Sequence, residues 1–150
     1  MSFVKLAAAL SEARKAARVL NPAPWTTVVG SIADAYAVQS ELARLDGGAR
    51  GWKVSALTPE QQRLFGADKP VAGALLAPFV YESPAKLSRA HLIAPLLECE
   101  IAFLLGTDLP ARAAPYTRDE VEAAIEAVVP AMEIADSRLP PDAPEILKAA

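Results

Sequence analysis

Glu98-Cys99-Glu100-Ile101-Ala102-Phe103-Leu104-Leu105 is the stretch in which residue type and spacing first point to chemistry. A strand here puts residues two apart on one face, about 6.6–7 Å from each other. Cys99, Ile101 and Phe103 then form an apolar face suited to a core, and Glu98 and Glu100 share the opposite face beside the small Ala102. Two like charges this close repel unless water or a cation separates them. The side chains can lean together so that one oxygen of each reaches a single ion. A solvated strand face bearing two acids is the plainer alternative. A third carboxylate, Glu133, lies in Ala131-Met132-Glu133-Ile134-Ala135, otherwise small and apolar. An ionised group is costly to bury there unless it is paired or bound to a metal. Lys53 or Arg138 can supply an ion pair. Three carboxylates without histidine or thiolate suit a hard cation, Mg²⁺ or Mn²⁺ ahead of Ca²⁺. Such a set leaves open positions on an octahedral ion for water or substrate.

The rest of the inventory narrows the choices. One histidine and one cysteine in 150 residues leave no disulfide framework, no Cys-based zinc cluster and little room for a His-centred triad. Cys99 lies opposite the acids and reads as a structural thiol; His91, before Pro95, reads as a loop or packing residue. A net charge of −3 argues against duplex binding, which needs a basic stripe or patch. The apolar stretch Leu6–Leu10 is followed by Glu12, Arg14, Lys15 and Arg18, unlike a signal peptide. No apolar run approaches the roughly 20 residues of a membrane span. These features predict a cytoplasmic protein with no membrane and no nucleic-acid partner.

The elements that must position the acids follow from periodicity and caps. Apolar residues at helical spacing predict a helix over 3–20, ended by Asn21, Pro22 and Pro24. Ser31 as a cap with Asp34 after it, and Gly47 beyond the end, predict a second helix over 31–45. Alternation over Gly51–Leu57 predicts a strand, and Thr58-Pro59-Glu60-Gln61 a short capped helix broken by Gly66. Residues 71–81 suit short strands or an edge. A strand over 98–105 comes next, followed by a loop over 106–115. Thr117-Arg118-Asp119-Glu120 is a capping box for a helix reaching about Val128, with Pro130 ending it and a strand over 131–138. Leu139-Pro140-Pro141-Asp142-Ala143-Pro144 is excluded from regular structure. The class is α+β, helices first and strands later. The expected organisation is a helical segment over 1–48, a catalytic portion over 49–138 and a Pro-rich tail over 139–150.

Four blocks carry a family resemblance. Leu92-Ile93-Ala94-Pro95-Leu96-Leu97-Glu98-Cys99-Glu100-Ile101-Ala102-Phe103 resembles the aP-x-x-E-x-E-x-A-F block of the fumarylacetoacetate hydrolase superfamily. Pro130-Ala131-Met132-Glu133-Ile134-Ala135-Asp136-Ser137-Arg138 resembles its later PA-x-E-x-x-D-S-R block. Ala35-Tyr36-Ala37-Val38-Gln39 and Gly51-Trp52-Lys53-Val54 resemble the 2-keto-4-pentenoate hydratase branch. The match runs in order from about Ala35 to Arg138.

The resemblance implies N-terminal helices followed by part of the family's mixed β-roll, and a metal-dependent enzyme acting on a small 2-oxo acid. It carries the metal-ligand role to Glu98, Glu100 and Glu133 and the active-site lysine role to Lys53. Arg138, by its own chemistry, can bind a substrate carboxylate bidentately or equally neutralise Asp136. The branch reaction adds water to 2-hydroxypenta-2,4-dienoate, giving 4-hydroxy-2-oxopentanoate, in aromatic catabolism. A related oxalocrotonate-type decarboxylase and an acylpyruvate hydrolase share the metal–enolate chemistry. A non-catalytic partner subunit is the reading from outside catalysis. Many hydratases carry an acid after the alanine of G-x-L-x-A, where this chain has Pro78 after Ala77. Family chains continue past the position of Ala150 and form homo-oligomers, so the resemblance implies an N-terminal part of the fold.

Overall fold

The computed structural model describes residues 2–150. The chain divides into two compact units, one comprising residues up to Ala94 together with Ser137–Ala150, the other Pro95–Asp136.

In the first unit, helices α1 (Phe3–Lys15) and α2 (Ile32–Leu45) pack through stripes set by helical periodicity. Leu6, Ala7, Leu10 and Ala13 of α1 are buried in one core with Ala35, Val38 and Leu42 of α2. The antiparallel strands β1 (Ala49–Ser55) and β2 (Val71–Leu76) join them, connected through the short helix α3 (Pro59–Leu64). The end of the chain enters this core as well: Leu139, Ala143 and Leu147 are buried, the last on a one-turn helix α5 (Glu145–Lys148). The prolines of residues 139–144 keep that approach irregular while its apolar residues pack.

Helix α1 stops at Lys15, five residues short of the end predicted at Leu20. Arg18 donates its backbone N–H to Ala13 at 3.0 Å and Ala17 to Arg14 at 3.1 Å, with Ala17 left-handed at φ 45°. This is a Schellman reversal. Helix α3 ends in the same way with Gly66 left-handed, and α2 ends with Gly47 left-handed and the Gly48 N–H donating to the Ala43 carbonyl at 2.7 Å. Leu20 then turns inward, donating its N–H to the Arg138 carbonyl at 2.7 Å.

The second unit is a long hairpin, β3 (Leu96–Leu105) paired antiparallel with β4 (Ile125–Ala135), and a short helix α4 (Arg118–Ala124) before β4. The predicted helix to Val128 is corrected here: α4 ends at Ala124, and Ile125–Val129 are strand. Ile125, Val128 and Val129 are β-branched, and pairing with Ala102–Leu105 outweighs the helical reading. No helix among the described residues is long and apolar enough to cross a membrane.

Candidate metal centre

Register assembles the site. Glu98 lies directly across the hairpin from Glu133, and Glu100 across from Ala131. With side chains alternating between faces, all three glutamates stand on one face, among Ala102, Ala131 and Ala135. Small neighbours leave the carboxylates room to converge. One oxygen from each lies within 4.8 Å of the others, and all three residues are half-buried. Oxygens bound to one ion at about 2.0–2.6 Å can be at most about 4–5 Å apart, so the donors fit a shared hard cation after at most a small closure.

The opposite face carries Leu97, Cys99, Ile101 and Phe103 of β3 with Val128, Pro130 and Met132 of β4. Expected as a core face, it is exposed instead, Ile101 at 65% and Phe103 at 60%. A two-stranded sheet has two faces and few side chains to cover them.

The turn between the strands is held by Arg112. Its guanidinium donates to both oxygens of Glu120, at 2.9 and 2.6 Å, and to the carbonyls of Ala114 and Pro115. It also stacks over the Tyr116 ring at 3.7 Å. Glu120 closes the predicted capping box, accepting from the Thr117 N–H at 2.7 Å. The Arg112 bond, then the Thr117 N–H, hold the Glu120 carboxyl down at about 2 from an ordinary 4.5.

Lys53, Arg138, Trp52 and His91 belong to the first unit. Lys53 is half-buried on β1, opposite Gly73 of β2. Trp52 is 64% exposed and lines an open groove of about 480 Å³ with Tyr36, Gln39, Lys69 and Pro70. Arg138 is half-buried, with a long bond of 3.5 Å to the carbonyl of His91, which is itself exposed in a 3₁₀ turn. Tyr36 and Gln39 acquire no role from the sequence beyond their place in the resemblance. In the structure both bond the backbone of β2. Two polar side chains three apart beside a buried apolar stripe are the only signal that marks them.

No protein-family model matches the chain. Among curated proteins it is 34% identical over 142 residues to a 2-keto-4-pentenoate hydratase of Burkholderia vietnamiensis (strain G4 / LMG 22486), covering 92% of this chain and 53% of that one. It is 36% identical over 136 residues to a 2-hydroxyhexa-2,4-dienoate hydratase of Comamonas testosteroni, covering 87% and 51%. The chain therefore spans about half the length of these relatives. Among solved structures it resembles 4-oxalocrotonate decarboxylase from Pseudomonas putida G7, complexed with magnesium and adipate, with a TM-score of 0.79 at 24% identity over 98% of this chain and 57% of that one. The same enzyme complexed with calcium and acetate matches equally, at 25% identity and the same coverage.

Proposed function

Because the chain belongs to the 2-keto-4-pentenoate hydratase branch of the fumarylacetoacetate hydrolase superfamily, we propose that it serves metal-dependent hydration of a 2-hydroxy-2,4-dienoate. The observation that carries this reading is the convergence of Glu98, Glu100 and Glu133 on one strand face. Three carboxylates and no nitrogen or sulfur donor favour Mg²⁺, with Mn²⁺ as the alternative ion. When bound, the cation polarises the C2 oxygen of the substrate and stabilises the enolate charge.

The chain's own groups do the rest. The dienol proton leaves O2 and a proton arrives at C5, giving the conjugated 2-oxo acid. Water then adds its oxygen to C4, and C3 takes a proton, to give 4-hydroxy-2-oxopentanoate. Lys53 is the group we assign to proton exchange on this path, or to donation toward the C2 oxygen. Arg138 is assigned to the substrate carboxylate, which its planar fork can bind bidentately. With Pro78 where many hydratases carry an acid, proton transfer falls more heavily on Lys53. The working form is taken to be a cytoplasmic homo-oligomer.

Titration of the chain with Mg²⁺ and Mn²⁺ by calorimetry, beside a Glu98→Gln/Glu100→Gln variant, tests the premise. One ion per chain in the parent and none in the variant is expected. No binding by a folded parent overturns it. Loss of dienol absorbance from 2-hydroxypenta-2,4-dienoate then tests the reaction. Release of CO₂ from an oxalocrotonate-type acid would instead favour the decarboxylase reading, which the likeness to the Pseudomonas putida enzyme supports.

A further inference from the structure

Two side chains of α2 take the place of a neighbouring strand along the outer edge of β2. The Ala72 N–H donates to Tyr36 Oη at 3.1 Å, and the Ala74 N–H donates to Gln39 Oε1 at 3.0 Å. Gln39 Nε2 donates in return to the Ala72 carbonyl at 3.1 Å. One side-chain amide thus bridges the carbonyl of residue 72 and the N–H of residue 74, the pair that a residue of a parallel neighbouring strand would engage. The other Nε2 hydrogen reaches the Ala149 carbonyl at 2.7 Å, tying the same amide to the end of α5.

Backbone polar groups of successive residues in an antiparallel ladder point to opposite edges. Ala72 and Ala74 point at α2, so Gly73 between them points at β1, where its register partner is Lys53. The backbone of Lys53 is therefore matched to the one residue of β2 bracketed on both sides by bonds to α2. Position 73 itself places no side chain beside the lysine, and a Cβ built there would meet nothing within 4 Å.

We propose that Tyr36 and Gln39 are positioning residues for Lys53, acting through Ala72–Ala74 to fix how β1 presents the Lys53 amine. The inference rests on the reading above for the importance of Lys53, while its test needs neither metal nor turnover.

The experiment is ¹H–¹³C NMR of the full chain labelled with ¹³C-lysine, with amide exchange followed in parallel. Tyr36→Phe and Gln39→Leu are compared with Glu41→Gln, which alters only the Arg44 ion pair on the same helix. In both test variants the Lys53 Cε–Hε signal is expected to move, and the Ala72 amide in Tyr36→Phe and the Ala74 amide in Gln39→Leu to exchange about tenfold faster, in line with one lost hydrogen bond. Signals of Lys5, Lys15 and Lys86 stay in place, and Glu41→Gln leaves Lys53 unmoved. A stationary Lys53 signal in a folded variant whose edge amides exchange faster overturns the proposal, leaving the pair as a cap on the strand edge alone. A Lys53 signal that moves equally in Glu41→Gln overturns it too. Should Gln39→Leu fail to fold, the nearly isosteric Tyr36→Phe decides the question. Failure of the metal titration leaves this result intact, and the converse holds.

Discussion

The two units of the chain hold their candidate functional groups by different means. In the first, Lys53 stands on β1, whose partner β2 is buried at Val71 and Leu76 in a packed core and bonded along its other edge by two side chains of α2. In the second, Glu98, Glu100 and Glu133 stand on a hairpin with one broadly exposed apolar face, and the ladder itself sets their spacing. Packing tunes a position continuously, through every methyl group that touches it. Register is discrete, because a slip of one residue would send each glutamate to the other face. A side chain that has to present an amine at one place gains from the first method. Three carboxylates that share a face need only the second.

The largest expected effect separates the two methods directly. Leu6→Ala, at a side chain that is 0% exposed, should cost about 2–5 kcal/mol in urea unfolding, whereas Ile101→Ala, 65% exposed, should stay within about 0.5 kcal/mol. Equal losses would break the contrast and show that the hairpin face is covered in solution. A smaller effect of opposite sign is expected at the end of α1. Ala17 is held left-handed, a conformation costing an L-residue about 1–2 kcal/mol, so Ala17→Gly should raise stability by about 0.5–1 kcal/mol. No gain in the unfolding midpoint would mean that the reversal is not retained in solution.

The smallest effect lies in the turn of the hairpin. The folded-state pKa of Glu120, about 2, lies below its ordinary 4.5, so its contribution is complete above about 4.5 and disappears as the pH falls toward 2. Near-ultraviolet dichroism of Tyr116, whose ring lies under Arg112, should change as the pH falls toward about 2, where the folded-state carboxyl takes up its proton. Glu120→Gln should remove the transition, and its persistence in that variant would assign it to another acid.

Much of this was readable from the chain, and the exceptions share a cause. Ser31 with Asp34, Thr58 with Gln61, and Thr117 with Glu120 each mark a helix start, because a cap is a local bond between residues three apart. The convergence of Glu98 and Glu100 follows from a period of two. Helix ends marked by Gly47 and Gly66 were equally legible, whereas the end of α1 was not, because an alanine occupies the left-handed position. Ile125–Val129 escaped because a helical period and a β-branched run coexist there, and only pairing with β3 decides between them. The bonds of Tyr36 and Gln39 to β2 span 33 to 36 residues, beyond the reach of any local pattern. The same is true of Arg112, whose partner is eight residues away across an irregular turn.

Pro130 stands at the midpoint of β4, opposite Ile101. A proline is tolerated in a ladder where its nitrogen faces away from the partner strand, and there it leaves one position without a donor. Another chain adding itself along that outer edge would lose a hydrogen bond halfway through its contact. Long, flat, greasy hairpins are seeds for filament growth, and each added subunit must repeat the same imperfect join. Pro130 thus leaves the outer border of the strand that carries Glu133 one donor short, a poor template for a further strand, while the carboxylates stay on a regular ladder.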